Sequence, residues 1–79
     1  MPQLTLYHMT HCPYSRKVLN FLGQCKISVP LKNTGEKPEY REELRRIGGK
    51  TQVPCLVIDG KAMYESNDII QWLKEHGKE

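Results

Sequence analysis

No stretch of this 79-residue chain approaches the roughly 20 consecutive apolar residues that a membrane-spanning helix needs. The opening MPQLTLY also lacks the basic start and long apolar run of a secretory leader. Cysteine is sparse: Cys12, Cys25 and Cys55 are odd in number and widely spaced, a poor disulfide framework that points to a reducing compartment. Internal repeats and low-complexity segments are missing too. Nor is there a strong excess of one charge, since twelve Lys and Arg stand against nine Asp and Glu for a net +3. The densest basic cluster, Arg41, Arg45 and Arg46, is interleaved with Glu42 and Glu43, the pattern of a solvated helix face rather than a phosphate-binding surface. The expectation is a soluble, cytoplasmic, monomeric protein, a single domain over residues 1–79, with neither nucleic acid nor membrane as partner.

The apolar residues that are present change period along the chain. Leu4 and Leu6 alternate with polar neighbours, as do Ile27, Val29 and Leu31, which is the period of half-buried strands. Between them Tyr14, Val18, Phe21, Leu22 and Cys25 recur every three or four residues, predicting an amphipathic helix over 13–23 whose first turn accommodates Pro13. A strand, helix, strand succession places its two strands parallel. Pro30 lacks the N–H a central ladder requires, so the second strand is expected at a sheet edge.

Tyr40, Leu44 and Ile47 mark a second helix that stops at Gly48-Gly49. CLVI at 55–58 and KAMY at 61–64 read as strands joined by a tight Asp59-Gly60 hairpin. A last helix starts at ESND and carries Ile69, Ile70 and Leu73 toward the core. The expected fold is α/β, βαβαββα, with a mixed four-stranded sheet flanked by helices.

That order puts Cys12 where the first strand meets the first helix. Unpaired N–H groups and the helix dipole favour an anion there, and Arg16 and Lys17 add a field of the same sign. An unperturbed cysteine with a pKa near 8.5 is only about 3% thiolate at pH 7, whereas helix-terminal cysteines fall well below that value. From the residues alone Cys12 reads either as a nucleophile or as a small buried hydrophobe. Cys25 and Cys55 read as core residues. His8 and His11 with Cys12 lack a fourth ligand at a suitable spacing, so no metal site is expected.

Cys12-Pro13-Tyr14-Ser15 at a strand-to-helix turn, then Gln52-Val53-Pro54 before a hairpin, then a polar helix start together resemble the glutaredoxin family of the thioredoxin fold. The likeness covers essentially the whole chain, and Glu65-Ser66 is similar to the Glu-Ser pair of the glutathione transferase N-terminal domain. The resemblance implies a cis bond before Pro54 beside the active thiol, with the Val53 backbone pairing the cysteinyl part of glutathione. It implies that Glu65, Ser66, Asn67 and Asp68 at the last helix start hold the γ-glutamyl end. Tyr14 would border the site, and Arg41 and Gln52 would receive the glycyl carboxylate, although Arg41 also reads as a solvated partner of Glu39 or Glu42. Met9 departs from the lysine the family often has three residues before the nucleophile. Ser15 replaces a second cysteine, so no disulfide can form within the motif, and its hydroxyl is available to stabilise the thiolate.

The implied activity is that of a monothiol, glutathione-dependent thiol-disulfide oxidoreductase with Cys12 as nucleophile and glutathione as co-substrate. Its partners would be glutathionylated or disulfide-bearing proteins or small molecules. Two alternatives stay open: a carrier of a [2Fe–2S] cluster ligated by Cys12 and glutathione between two protomers, and a glutathione-binding module with little turnover.

Overall fold

The computed structural model describes residues 3–76. Its elements follow in the order β1 (Leu4–His8), α1 (Pro13–Cys25), β2 (Leu31–Asn33), α2 (Pro38–Gly48), β3 (Cys55–Ile58), β4 (Lys61–Met63) and α3 (Ser66–His76). The four strands form one sheet in the order β2-β1-β3-β4. β1 runs parallel to β2 and antiparallel to β3, and β3 pairs antiparallel with β4. No helix among the described residues is long and apolar enough to cross a membrane.

Strand alternation divides the core between the two faces of this sheet. Leu6 lies opposite Leu56, and both pack with Val18 and Leu22 of α1 and Ile69 and Leu73 of α3. The next pair, Tyr7 opposite Cys55, points the other way and joins Val57 and the fully buried Leu44 of α2. On that second face the Tyr7 phenol donates to Glu43 Oε1 at 3.0 Å, and the Lys32 ammonium donates to the same oxygen at 2.6 Å, linking α2 to β1 and β2. The last residue of α2 is Gly48 because β4 comes close there. A Cβ at this position would strike Tyr64 Oη and lie 2.9 Å from Ala62 Cβ. Gly49 then ends the helix in the left-handed region, with its N–H donating to Arg45 O at 2.7 Å.

Several boundaries differ from those expected. β2 occupies 31–33 rather than 27–31. The Ile27 N–H is drawn back to Leu22 O in the cap of α1, and only from the Pro30 carbonyl onward, which accepts from Leu6 N at 2.9 Å, does the backbone reach the ladder. The edge position inferred from Pro30 is observed. α1 continues two residues past 23, β4 ends at Met63, and Ile47 is exposed rather than in the core stripe of α2. Cys55 is fully buried, Cys25 only partly so.

Candidate functional site

β1 ends at His8, three residues form a turn, and Cys12 becomes the N-cap of α1 with φ −86° and ψ 119°. Its N–H donates to Met9 O at 3.2 Å and its carbonyl accepts the first helical bond from Arg16 N at 3.0 Å. The turn is fastened to the far edge of the sheet by Asn33 Nδ2, which donates to Thr10 Oγ1 at 2.8 Å, and by Thr34 N, which donates to His8 O at 2.8 Å.

No side chain caps α1, so the first N–H groups of the helix remain available to the cysteine sulfur. Burial pushes the Cys12 thiol up, but the Ser15 N–H, the Ser15 hydroxyl and the Tyr14 N–H are directed at the sulfur and together hold it below its ordinary value. Ser15 is fully buried, and its oxygen accepts from Met9 N at 3.3 Å, which leaves its O–H free to serve the thiolate. Position 15 therefore belongs to the support of Cys12.

Across the turn, the Cys12 thiol faces the Val53 carbonyl at 4.0 Å, and the Val53-Pro54 peptide is cis. A groove of about 340 Å³ opens beside them, lined by Tyr14, Gln52, Val53, Pro54, Glu65, Ser66 and Asn67. That volume is at the small end of the range for ligand sites. Glu65 adopts φ 71°, a left-handed conformation that a non-glycine side chain rarely takes, and its carbonyl accepts the first α3 bond from Ile69 N at 3.0 Å. Such conformations concentrate where a site demands them.

The sequence profile of the family described as Glutathione S-transferase, N-terminal domain, matches residues 6–79. The chain belongs to this family. An uncharacterised monothiol glutaredoxin of Caenorhabditis elegans is 32% identical over 63 residues, covering 75% of this chain and 43% of the relative, so the chain spans less than half that protein's length. Among solved structures, glutathione transferase Omega 3C of Trametes versicolor superposes with a TM-score of 0.82 at 28% identity, over 98% of this chain and 34% of that one. The holo form of glutaredoxin C1 from Populus tremula x tremuloides superposes with a TM-score of 0.70 at 19% identity, over 95% and 77% of the two chains. The mixed four-stranded sheet with three helices is the thioredoxin-like fold shared by glutaredoxins and glutathione transferases.

Within this glutathione transferase N-terminal domain, seven of the residues expected from sequence line the groove; Cys12 faces the Val53 carbonyl of that lining, and Ser15 is buried. Two others do not. Arg41 on α2 and Asp68 in the first turn of α3 are both exposed, and neither is among the residues that line the groove. Both lie on helices whose rotation the linear pattern leaves undetermined. His11 and Met9 line a different groove, with Thr10, Asn33, Gly35 and Glu36. No group of three or more His, Cys, Asp or Glu among the described residues could hold a metal ion. Sequence reasoning missed one connection: the Lys17 ammonium donates to Asn67 Oδ1 at 2.6 Å, joining α1 to α3 at the groove rim. Fifty positions separate the two, and no local pattern signals the contact.

Proposed function

We propose that this domain is a glutathione-dependent thiol-disulfide oxidoreductase working by a monothiol route, with Cys12 as the nucleophile. The observation that carries the reading is the position of the Cys12 sulfur at the N-terminus of a helix that no side chain caps, facing the Val53 carbonyl of a cis Val53-Pro54 bond beside an open groove. The Cys12 thiol is held below its ordinary value, which enlarges the thiolate fraction, and the thiolate is the nucleophile. Its placement opposite the Val53 carbonyl leaves room for an extended cysteinyl peptide to run past the sulfur.

In the first step the Cys12 thiolate attacks the glutathione sulfur of a mixed disulfide. The Cys12–glutathione disulfide forms as the original S–S bond breaks, and the released thiolate takes a proton from water. In the second step a free glutathione thiolate attacks the glutathione sulfur of this intermediate, restoring the Cys12 thiolate and leaving as oxidised glutathione. Over the cycle one mixed disulfide and one glutathione thiol become one substrate thiol and one oxidised glutathione, an exchange in which atoms and electrons balance with no further oxidant or reductant. Ser15 takes no covalent part. It donates to the thiolate whenever that anion is present.

The experiment is a coupled assay of oxidised glutathione formation from a small glutathione mixed disulfide, comparing the protein with Cys12→Ser. Turnover should fall to the uncatalysed background in the variant while the melting transition stays in place. A variant that retained a substantial fraction of the rate would refute the assignment of the nucleophile.

A further inference from the structure

The turn that carries Cys12 also helps to line a second groove. Cys12 N–H donates to Met9 O at 3.2 Å, and Met9, Thr10 and His11 of that turn meet Asn33, Gly35 and Glu36 around a space of about 330 Å³. Asn33 joins the two walls. Its Nδ2 donates to Thr10 Oγ1 at 2.8 Å and its Oδ1 accepts from Gly35 N at 2.9 Å, so one amide fixes both segments. Gly35 keeps the space open, since a Cβ there would lie 3.3 Å from Asn33 Oδ1 and 3.4 Å from Met9 Cε. No lysine or arginine lines this groove, although the chain carries a net +3. Glu36 does line it, and its carboxylate makes no hydrogen bond or ion pair among the described residues. The neighbouring Lys37 ammonium is turned to the Tyr40 ring, 5.5 Å from its centroid. The Glu36 charge is felt at the end of β1, where it opposes the larger effect of burial that holds the His8 imidazole below its ordinary value.

An unpaired carboxylate in a braced groove that begins one residue from the nucleophilic sulfur complements a cation carried by the other half of a disulfide. Along an extended chain a residue two or three positions from the reacting cysteine lies about 7–10 Å away, enough to pass His11 and enter the groove. We propose that this groove docks the peptide side of a mixed disulfide and favours a lysine or arginine two or three residues from its cysteine, with Glu36 setting the preference. The proposal rests on the exchange proposed for Cys12 and adds the class of its substrate: basic segments of glutathionylated proteins rather than acidic ones. It introduces no covalent step, because the docked peptide is the thiolate released in the first exchange. Glu36 is open to water, so its charge shifts the choice among substrates rather than the chemistry at sulfur.

The test is kcat/KM of the intact protein for two glutathionylated hexapeptides, alike except for Lys or Glu at the second and third positions from the cysteine. It is run at about pH 8, above the ordinary range of imidazole groups. The Lys peptide should react about three- to tenfold faster, the scale of an exposed ion pair gained and a like-charge contact avoided. The ratio should fall toward one at about 1 M salt, where the screening length is about 3 Å. Glu36→Gln should bring it within about twofold and Glu36→Lys should reverse it; ratios are compared within each protein, so any shared effect of a substitution cancels. A ratio below about twofold in the intact protein would overturn the proposal, and so would a preference that survives in Glu36→Gln. If a small glutathione mixed disulfide is not turned over either, the oxidoreductase reading fails on its own. The preference is then read from the stoichiometric attack of Cys12 on the same peptides carrying a 2-thiopyridyl disulfide, in a Cys25→Ala background, where equal rates or an inert Cys12 would overturn it.

Discussion

Replacing Ser15 by alanine separates the support of the thiolate from the nucleophile itself. The serine hydroxyl is one of three donors that hold the Cys12 thiol below its ordinary value against the opposing effect of burial. A hydrogen bond to a charged group is worth about 1.5–3 kcal/mol, and one pKa unit corresponds to about 1.4 kcal/mol. Ser15→Ala should therefore raise the apparent Cys12 pKa, with the two N–H donors still in place. The measurement is the rate of alkylation by iodoacetamide against pH. It is made in a Cys25→Ala background, since Cys25 is partly exposed, whereas Cys55 is fully buried and its thiol is pushed up to about 11 by that burial. Because the folded pKa is depressed, the reactive thiolate is lost as pH falls through it, and in the variant that loss should begin at higher pH. Removing the hydroxyl also deprives Met9 N–H of its acceptor, so a loss of about 1 kcal/mol in stability should accompany the shift. An unchanged alkylation midpoint in a folded variant would show that the hydroxyl does not act on the sulfur.

Two further outcomes follow from the packing and charge of the α2 face. Gly48→Ala should destabilise the protein by about 1–3 kcal/mol in urea unfolding, because the added methyl meets the Tyr64 and Ala62 side chains; a neutral result would mean that these side chains yield at little cost. Glu43 is held below the ordinary carboxyl value first by the Lys32 ammonium, against the opposing effect of burial, with a lesser contribution from the Tyr7 phenol. With its folded pKa depressed, the contribution is complete above 4.5 and lost as pH falls through the lower folded value. Glu43→Gln should thus flatten the acid limb of a stability-against-pH curve below about that point. Both partners are more than a third exposed, so the effect at neutral pH should not exceed about 1 kcal/mol.

The element order was legible because the apolar residues change period where the structure changes type, from Leu4 and Leu6 to Val18 and Leu22 and back to the run at 55–58. The cysteine, the cis proline and the polar start of α3 were legible as local motifs, each tied to a fixed turn. What escaped depends on contacts remote in sequence. Ile27 and Val29 alternate like a strand, but the chain there is still completing the cap of α1 and has not reached β1. Arg41 has the right chemistry for a carboxylate and sits on the right helix, yet its place around that helix is set by Leu44 seating against the sheet. Lys17 read as part of the field on Cys12; its hydrogen bond instead goes to Asn67, which only the packing of α1 against α3 brings within reach.

The burial of Ser15 also determines how the proposed reaction must end. Position 15 faces the protein interior, not the groove, and Cys12 is the sulfur that meets the Val53 carbonyl. Cys55 lies on the opposite face of the sheet with Leu44, sealed from solvent and protonated at neutral pH. Cys25 is at the other end of α1, about 20 Å away along the axis at roughly 1.5 Å per residue, far beyond the span of a disulfide. No sulfur of this chain can therefore resolve a mixed disulfide on Cys12 without unfolding a helix or a sheet. The second thiol must arrive from solution, through the groove that Tyr14, Val53 and Pro54 help to line. Oxidised protein incubated without a free thiol should consequently hold its glutathione indefinitely as a single adduct of unchanged mass. Spontaneous loss of that adduct with formation of an internal disulfide would contradict the geometry of all three cysteines.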